Sequence, residues 1–164
     1  HGEVMLLPHE SAEDYKELRW PGVHSCRGAR AAASEAYKMA EIEDPRQDLD
    51  FVELHDAYTS SEIQTYEDLG LCKYGEGGPF IESGGSTMEG PMPVNPSGGL
   101  LACGHPVGAT GLMQTVFAFW QLQDAIGKHL GDDTLQVKGA KQCAIHGHAG
   151  TGTYITVTVM ARGY

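Results

Sequence analysis

Apolar and polar positions change period several times along this chain, and glycine clusters mark most of the changes. From Cys26 to Ile42 the small residues Ala29, Ala32, Ala33, Ala36, Tyr37 and Ala40 recur at helical spacing, which predicts a helix packed closely on a neighbour, with Ser25 as a cap. Phe51 to Leu54 is a short apolar run that reads as a strand. Thr59 or Ser60 then opens a helix reaching Leu69, with Glu62 in its first turn. Residues 70–99 read as a long Gly/Pro-rich loop with one turn near Phe80. Pro106 to His129 predicts the longest helix, whose stripe of Val107, Leu112, Val116, Phe119, Trp120 and Leu122 reads as core. Gln142 to Ile145 and Thr153 to Met160 are β-branched or apolar runs around a glycine turn at 147–152. The order α–β–α–loop–α–β–β predicts an α/β fold, layered α-β-α around a mixed sheet with one parallel crossover and a terminal hairpin.

Composition narrows the function. The 164 residues suffice for one domain with a real core, and 22 glycines cluster at 75–78, 84–90, 98–111 and 147–152, as rigid irregular loops would require. A net charge of −11 makes nucleic acid a poor partner. No apolar run approaches spanning length, so no membrane is expected. Cys26, Cys72, Cys103 and Cys143 form no CxxC pair, which argues against a zinc ribbon and for reduced thiols in the cytoplasm.

The chemistry concentrates at Asn95–Gly111, where His105 sits between Gly104 and Pro106 at a loop-to-helix junction. An imidazole held there is poised to move a proton or to donate to an anion. His55 and Asp56 stand at the end of the first strand, and His146 and His148 lie two apart before the last hairpin. Together these side chains offer imidazole and carboxylate ligands, but their spacing fits no common metal motif, so no metal is expected.

Four segments resemble the thiolase family. Asn95–Gly111 fits the signature NxxGGxxxxGHPxGxxG at every fixed position. Val52-Glu-Leu-His-Asp-Ala-Tyr58 is similar to the segment reading NEAF in most thiolases and HDCF in the sterol-carrier-protein and archaeal types, and Glu67 to Gly78 resembles that second branch. His146 to Gly152 lies where most thiolases have CxGGGxG. The resemblance covers residues 23–161. It implies the C-terminal half of a thiolase fold over residues 23–164, after a lead-in at 1–22 that is expected to be the cut start of that half. The nucleophilic cysteine would come from an N-terminal half, so this chain is expected to be a fragment or one subunit of a split enzyme, inactive alone.

The resemblance implies acyl-CoA substrates, no covalently bound cofactor, a homodimer, and a zinc-ribbon/OB-fold partner protein. By it, His105 would be the base that deprotonates the nucleophile and would border an oxyanion site, His55 would order a water or donate directly at that site, and Gly147, His148 and Gly150 would form the second oxyanion site. The Gly-rich loop 75–99 would line the acyl tunnel. Two departures matter. His146 stands where most thiolases carry their second catalytic cysteine, and Ala57 stands where the HDCF branch carries it. His146 is the first choice for the missing acid/base, with His148 or Tyr58 as alternatives. Tyr58 is otherwise expected in the core, and Asp56 is expected to bond local amides or orient a histidine. The expected reaction is thiolytic cleavage or Claisen condensation of a β-ketoacyl-CoA. The alternatives are a retro-aldol carbon–carbon lyase on a β-hydroxyacyl-CoA and a non-catalytic scaffold or lipid carrier.

Overall fold

A short parallel pair of strands anchors the molecule, and everything around it serves to bring loop ends to one rim. The computed structural model describes residues 26–150 and 153–163; the expected lead-in at 1–22 and the Ser25 cap lie outside them. The described elements run α1 (Arg27–Met39), α2 (Pro45–Asp48), β1 (Phe51–Glu53), α3 (Thr59–Asp68), α4 (Gly77–Glu82), α5 (Gly99–Cys103), α6 (Thr110–Leu122), α7 (Ile126–Leu130), β2 (Gln142–Ala149) and β3 (Tyr154–Ala161). Their sheet has the order β1-β2-β3. β1 pairs parallel with β2 through Phe51↔Cys143 and Glu53↔Ile145, and β2 pairs antiparallel with β3 from Gln142↔Ala161 to Ala149↔Tyr154. The mixed sheet and the crossover are as the periodicity predicts.

The two faces of the sheet are covered differently. On one, Val52, Leu54 and Ala144 pack with Ala33, Tyr66, Leu69 and Met92, while Ala29 and Ala32 of α1 close on Ile155. Small α1 residues let the helix sit close to β3. On the other, Phe51, Cys143 and Ile145 meet Ala118 and Leu122 of α6. Each large side chain so buried contributes about 1.5–3 kcal/mol.

Several expectations change on inspection. The helix expected from 106 to 129 starts at Thr110 and breaks after Leu122, because Asp124 takes φ 55° and α7 begins afresh with the Ile126 N–H donating to Gln136 Oε1. α3 is capped at Tyr58, not at Thr59 or Ser60: the Ser61 hydroxyl accepts the Tyr58 N–H at 3.2 Å and donates to its carbonyl at 2.7 Å. β2 runs four residues past Ile145, so Gly147 is not in a turn but in the ladder opposite Thr156. A Cβ at Gly147 would lie 2.6 Å from Thr156 Oγ1, which is a cross-strand reason for glycine.

Helix α6 departs most. Its buried residues are Thr110, Gln114, Ala118, Gln121 and Leu122, while Val107, Leu112, Val116 and Phe119 are exposed. Of the stripe read as core, Leu122 is buried, Trp120 is half-buried and the other four residues face outward. The inward glutamines are tolerated because they bond backbone: Gln121 Nε2 donates to Leu135 O at 2.7 Å, and Gln114 Nε2 reaches His146 O at 3.5 Å.

Candidate functional site

The first step in building the site is a return of the chain to β1. After the 70–92 excursion, Val94 forms a parallel bridge to Val52, with the Val52 N–H on Pro93 O and the Asn95 N–H on Val52 O. Asn95 then takes φ 49°, and its Oδ1 accepts the Leu54 N–H at 2.7 Å. Ser97, Gly98 and Gly99 turn the chain into α5, which ends at Gly104 and delivers His105. Gly99 has φ +63°, and a Cβ there would collide with the Asp56 carboxylate, so glycine is required twice over. Asp56, expected to bond local amides or orient a histidine, accepts at Oδ1 the N–H of Leu100, 44 positions away, at 2.8 Å.

This folding places His55, Asp56, Tyr58, His105, His148 and Gly150 on one open cleft of about 610 Å³ at the carboxyl ends of β1 and β2. Ligands of parallel α/β sheets bind at that end. His55 is the hub: its ring lies edge-on to His105 with centroids 4.8 Å apart, and nearly parallel to His148 at 5.6 Å. His55 is buried, and its pKa is pushed below the usual imidazole range, first by burial and then by the neighbouring His105 and His148. It is neutral at neutral pH, so it can donate one N–H without a charge of its own. The His105 Nδ1 lies 2.7 Å from the hydroxyl of Thr110, which is also 3.2 Å from Pro106 O. Assigning the hydroxyl proton to Pro106 O makes Nδ1–H the donor and leaves Nε2 as the basic nitrogen.

His146 lies elsewhere. It is fully buried behind the cleft, its Nδ1 accepts the His55 backbone N–H at 3.4 Å, and its Nε2 has no partner. Burial, followed by the nearby His148 and His55, lowers its pKa to about 3. Of the two histidines in β2, His148 is the one that reaches the cleft. Gly150 lies at the rim with φ +64°. Tyr58 is a correction: it is exposed and lines the cleft, not the core, because the extended backbone at the start of α3 swings it outward. The loop 75–99 lines none of this cleft; Phe80 packs on Tyr66, and Met92 joins the core.

None of the four cysteines lines the cleft. Cys103 Sγ donates to Ser97 O at 3.5 Å, and the Cys103 and Cys143 thiols are raised above their ordinary range, chiefly by burial. No group of His, Cys, Asp and Glu among the described residues has the arrangement of a metal site. Sequence reasoning missed Glu53, Ser97 and Thr110. Two signals were present: a carboxylate inside the apolar run Phe51–Leu54, and a serine between Pro96 and the glycine pair.

A family model described as "Thiolase C-terminal domain-like" matches residues 11–162. The chain is 40% identical over 136 residues to bovine sterol carrier protein 2, covering 83% of this chain and 23% of that protein. It is 43% identical over 131 residues to an acetyl-CoA acetyltransferase of Methanothermobacter thermautotrophicus, covering 80% of this chain and 32% of the relative. The chain thus spans about a third or less of the length of these relatives. A solved structure titled "Ltp2-ChsH2(DUF35) aldolase" shares the fold with a TM-score of 0.69 at 21% identity, covering 88% of this chain and 34% of the other.

Proposed function

Because the chain belongs to the thiolase C-terminal domain-like family, we propose that it supplies the histidine half of a site that breaks or makes a carbon–carbon bond beside a coenzyme A thioester, by thiolase-type acyl transfer. The observation that carries this is the His55–His105–His148 ring cluster on one cleft. Cleaving or forming that bond passes through the enolate of a thioester, which needs a base at the α-carbon and donors at the oxygen. His105 is the base. Neutral His55 and the Gly150 rim are the donors. His148, with Tyr58 across the cleft, is the better second acid/base, and His146 orients His55 from behind.

The exposed face of α6 supports a second half-domain. Leu112 is 71% exposed, and Val107 (82%) and Leu101 (94%), which precede the helix, continue the patch to the cleft rim. A nucleophile-bearing half seated on that face would complete the cleft. The reading extends to a homodimer with a zinc-ribbon/OB-fold partner in the cytoplasm. No described helix is long and apolar enough to cross a membrane.

Ala57 and His146, at the two positions where the family's branches carry their second catalytic cysteine, favour a second reading: retro-aldol cleavage of a β-hydroxyacyl-CoA, in which a base takes the hydroxyl proton and the same enolate leaves. The full-length protein separates the two. Incubated with acetoacetyl-CoA and free coenzyme A, it is expected to release acetyl-CoA; cleavage confined to a β-hydroxyacyl-CoA would replace acyl transfer with aldol chemistry, and no turnover of either would leave a binding role.

A further inference from the structure

The site holds a buried carboxylate that none of the roles above uses. Glu53 is the last residue of β1 and is 0% exposed. Its Oε1 accepts the Ser97 N–H at 3.0 Å and its Oε2 the Ser97 hydroxyl at 2.6 Å. The same hydroxyl accepts the Gly99 N–H at 3.1 Å, while the Ser97 carbonyl receives the Cys103 thiol. One serine therefore ties β1 to both ends of α5, the five-residue helix whose next residue but one is His105. Asp56 holds the Leu100 N–H from the same strand end.

We propose that Glu53 is a positioning residue for His105: acting through Ser97, its carboxyl fixes the 95–99 turn and with it the place where α5 sets the imidazole at the cleft. An apolar side chain would fill the strand position at lower desolvation cost, since a lone carboxylate is expensive to bury. No salt bridge involves Glu53 among the described residues. The charged or titratable groups around it are Asp56 at the end of β1, Cys103 in α5 and Cys143 in β2, and none of them is a cation. The carboxyl is instead satisfied by the one residue that starts the His105 loop. Burial, opposed by the two Ser97 bonds, raises its pKa to about 7, so both protonation states are populated at neutral pH. Glutamine keeps both contacts: its carbonyl accepts the Ser97 N–H and its amide donates to the Ser97 hydroxyl.

This inference rests on His105 lying at the working cleft, but its test does not need turnover. Amide hydrogen exchange is followed across the full-length protein for wild type, E53Q, E53A and S97A. Loss of a hydrogen bond to a charged group is expected to speed exchange of 95–105 about tenfold in E53A and S97A, with α6 and β3 unchanged, the double variant E53A/S97A no faster than either single, and E53Q close to wild type. Where the protein turns over an acyl-CoA, kcat falls in E53A with KM little changed, and E53Q restores it. Unchanged exchange at 95–105, exchange raised equally throughout the chain, or additive effects in the double variant would each overturn the proposal. If the wild type acts on no acyl-CoA, the exchange result still decides the positioning role, and only the function assigned above fails.

Discussion

At the residue scale, what distinguishes His55, His105, His146 and His148 is their access to solvent and to each other. His55, His105 and His148 share the cleft, whereas His146 is sealed behind it with Nε2 unpartnered. A base must alternate between charged and neutral forms, and a ring whose pKa burial has lowered to about 3 does not take up a proton near neutral pH. His105 is exposed at the cleft, with its Nδ1 held by Thr110 and its Nε2 open to a substrate. Enolate formation can be read without choosing between acyl transfer and aldol cleavage, as exchange of the α-protons of a bound acyl-CoA with heavy water. His105→Ala in the full-length protein is expected to slow that exchange about 10²–10⁴-fold, and His148→Ala is expected to leave it measurable while lowering overall turnover. Equal exchange in wild type and H105A, followed by NMR, would remove His105 from the base role.

Helix α6 shows at the element scale how a correct period can be assigned to the wrong side. The apolar stripe is helical from Thr110, but Leu112, Val116 and Phe119 face away from this chain's sheet, while Gln114, Gln121 and Leu122 face into it. Chain periodicity gives the face; it does not say which body the face meets. Replacing Leu112 and Phe119 together by serine is therefore expected to leave the fold of this domain intact by circular dichroism and to weaken its association with the complementary half, seen as a shift to separated halves in sedimentation when the two are produced as separate chains. If the pair destabilises the isolated domain by several kcal/mol instead, the face belongs to its own core. The strands and the parallel crossover were legible because β-branched runs and glycine clusters bound them. The extension of β2 to Ala149 was not, since only pairing with β3 shows that Gly147 sits in a ladder opposite Thr156. His55, Asp56 and His105 were found from their motifs. Glu53 was hidden because its role depends on Ser97, 44 positions away.

At the scale of the whole molecule, two of the buried ionisable groups among the described residues, Glu53 and His146, have shifts with opposite consequences for stability. Glu53 has its pKa raised from 4.5 to about 7, so the folded chain keeps a proton that the unfolded chain gives up, and stability is lost as pH rises from 4.5 through 7. His146 has its pKa lowered from 6.5 to about 3, so the unfolded chain gains a proton that the folded chain refuses, and stability is lost as pH falls from 6.5 towards 3. Between 4.5 and 6.5 both operate: folding keeps one proton at Glu53 and forgoes one at His146, and their contributions to the slope cancel. Each variant should then unmask the other group. E53Q is expected to gain stability with rising pH across that window, and H146Q to lose it, each by up to about 1.4 kcal/mol per pH unit, whereas E53Q/H146Q should return to the shallow slope of the wild type. Urea unfolding of the four proteins at half-unit steps from pH 4.5 to 7.5 measures these slopes. Parallel curves for all four would mean that both groups titrate alike in the folded and unfolded chain, and that water reaches the space behind the cleft.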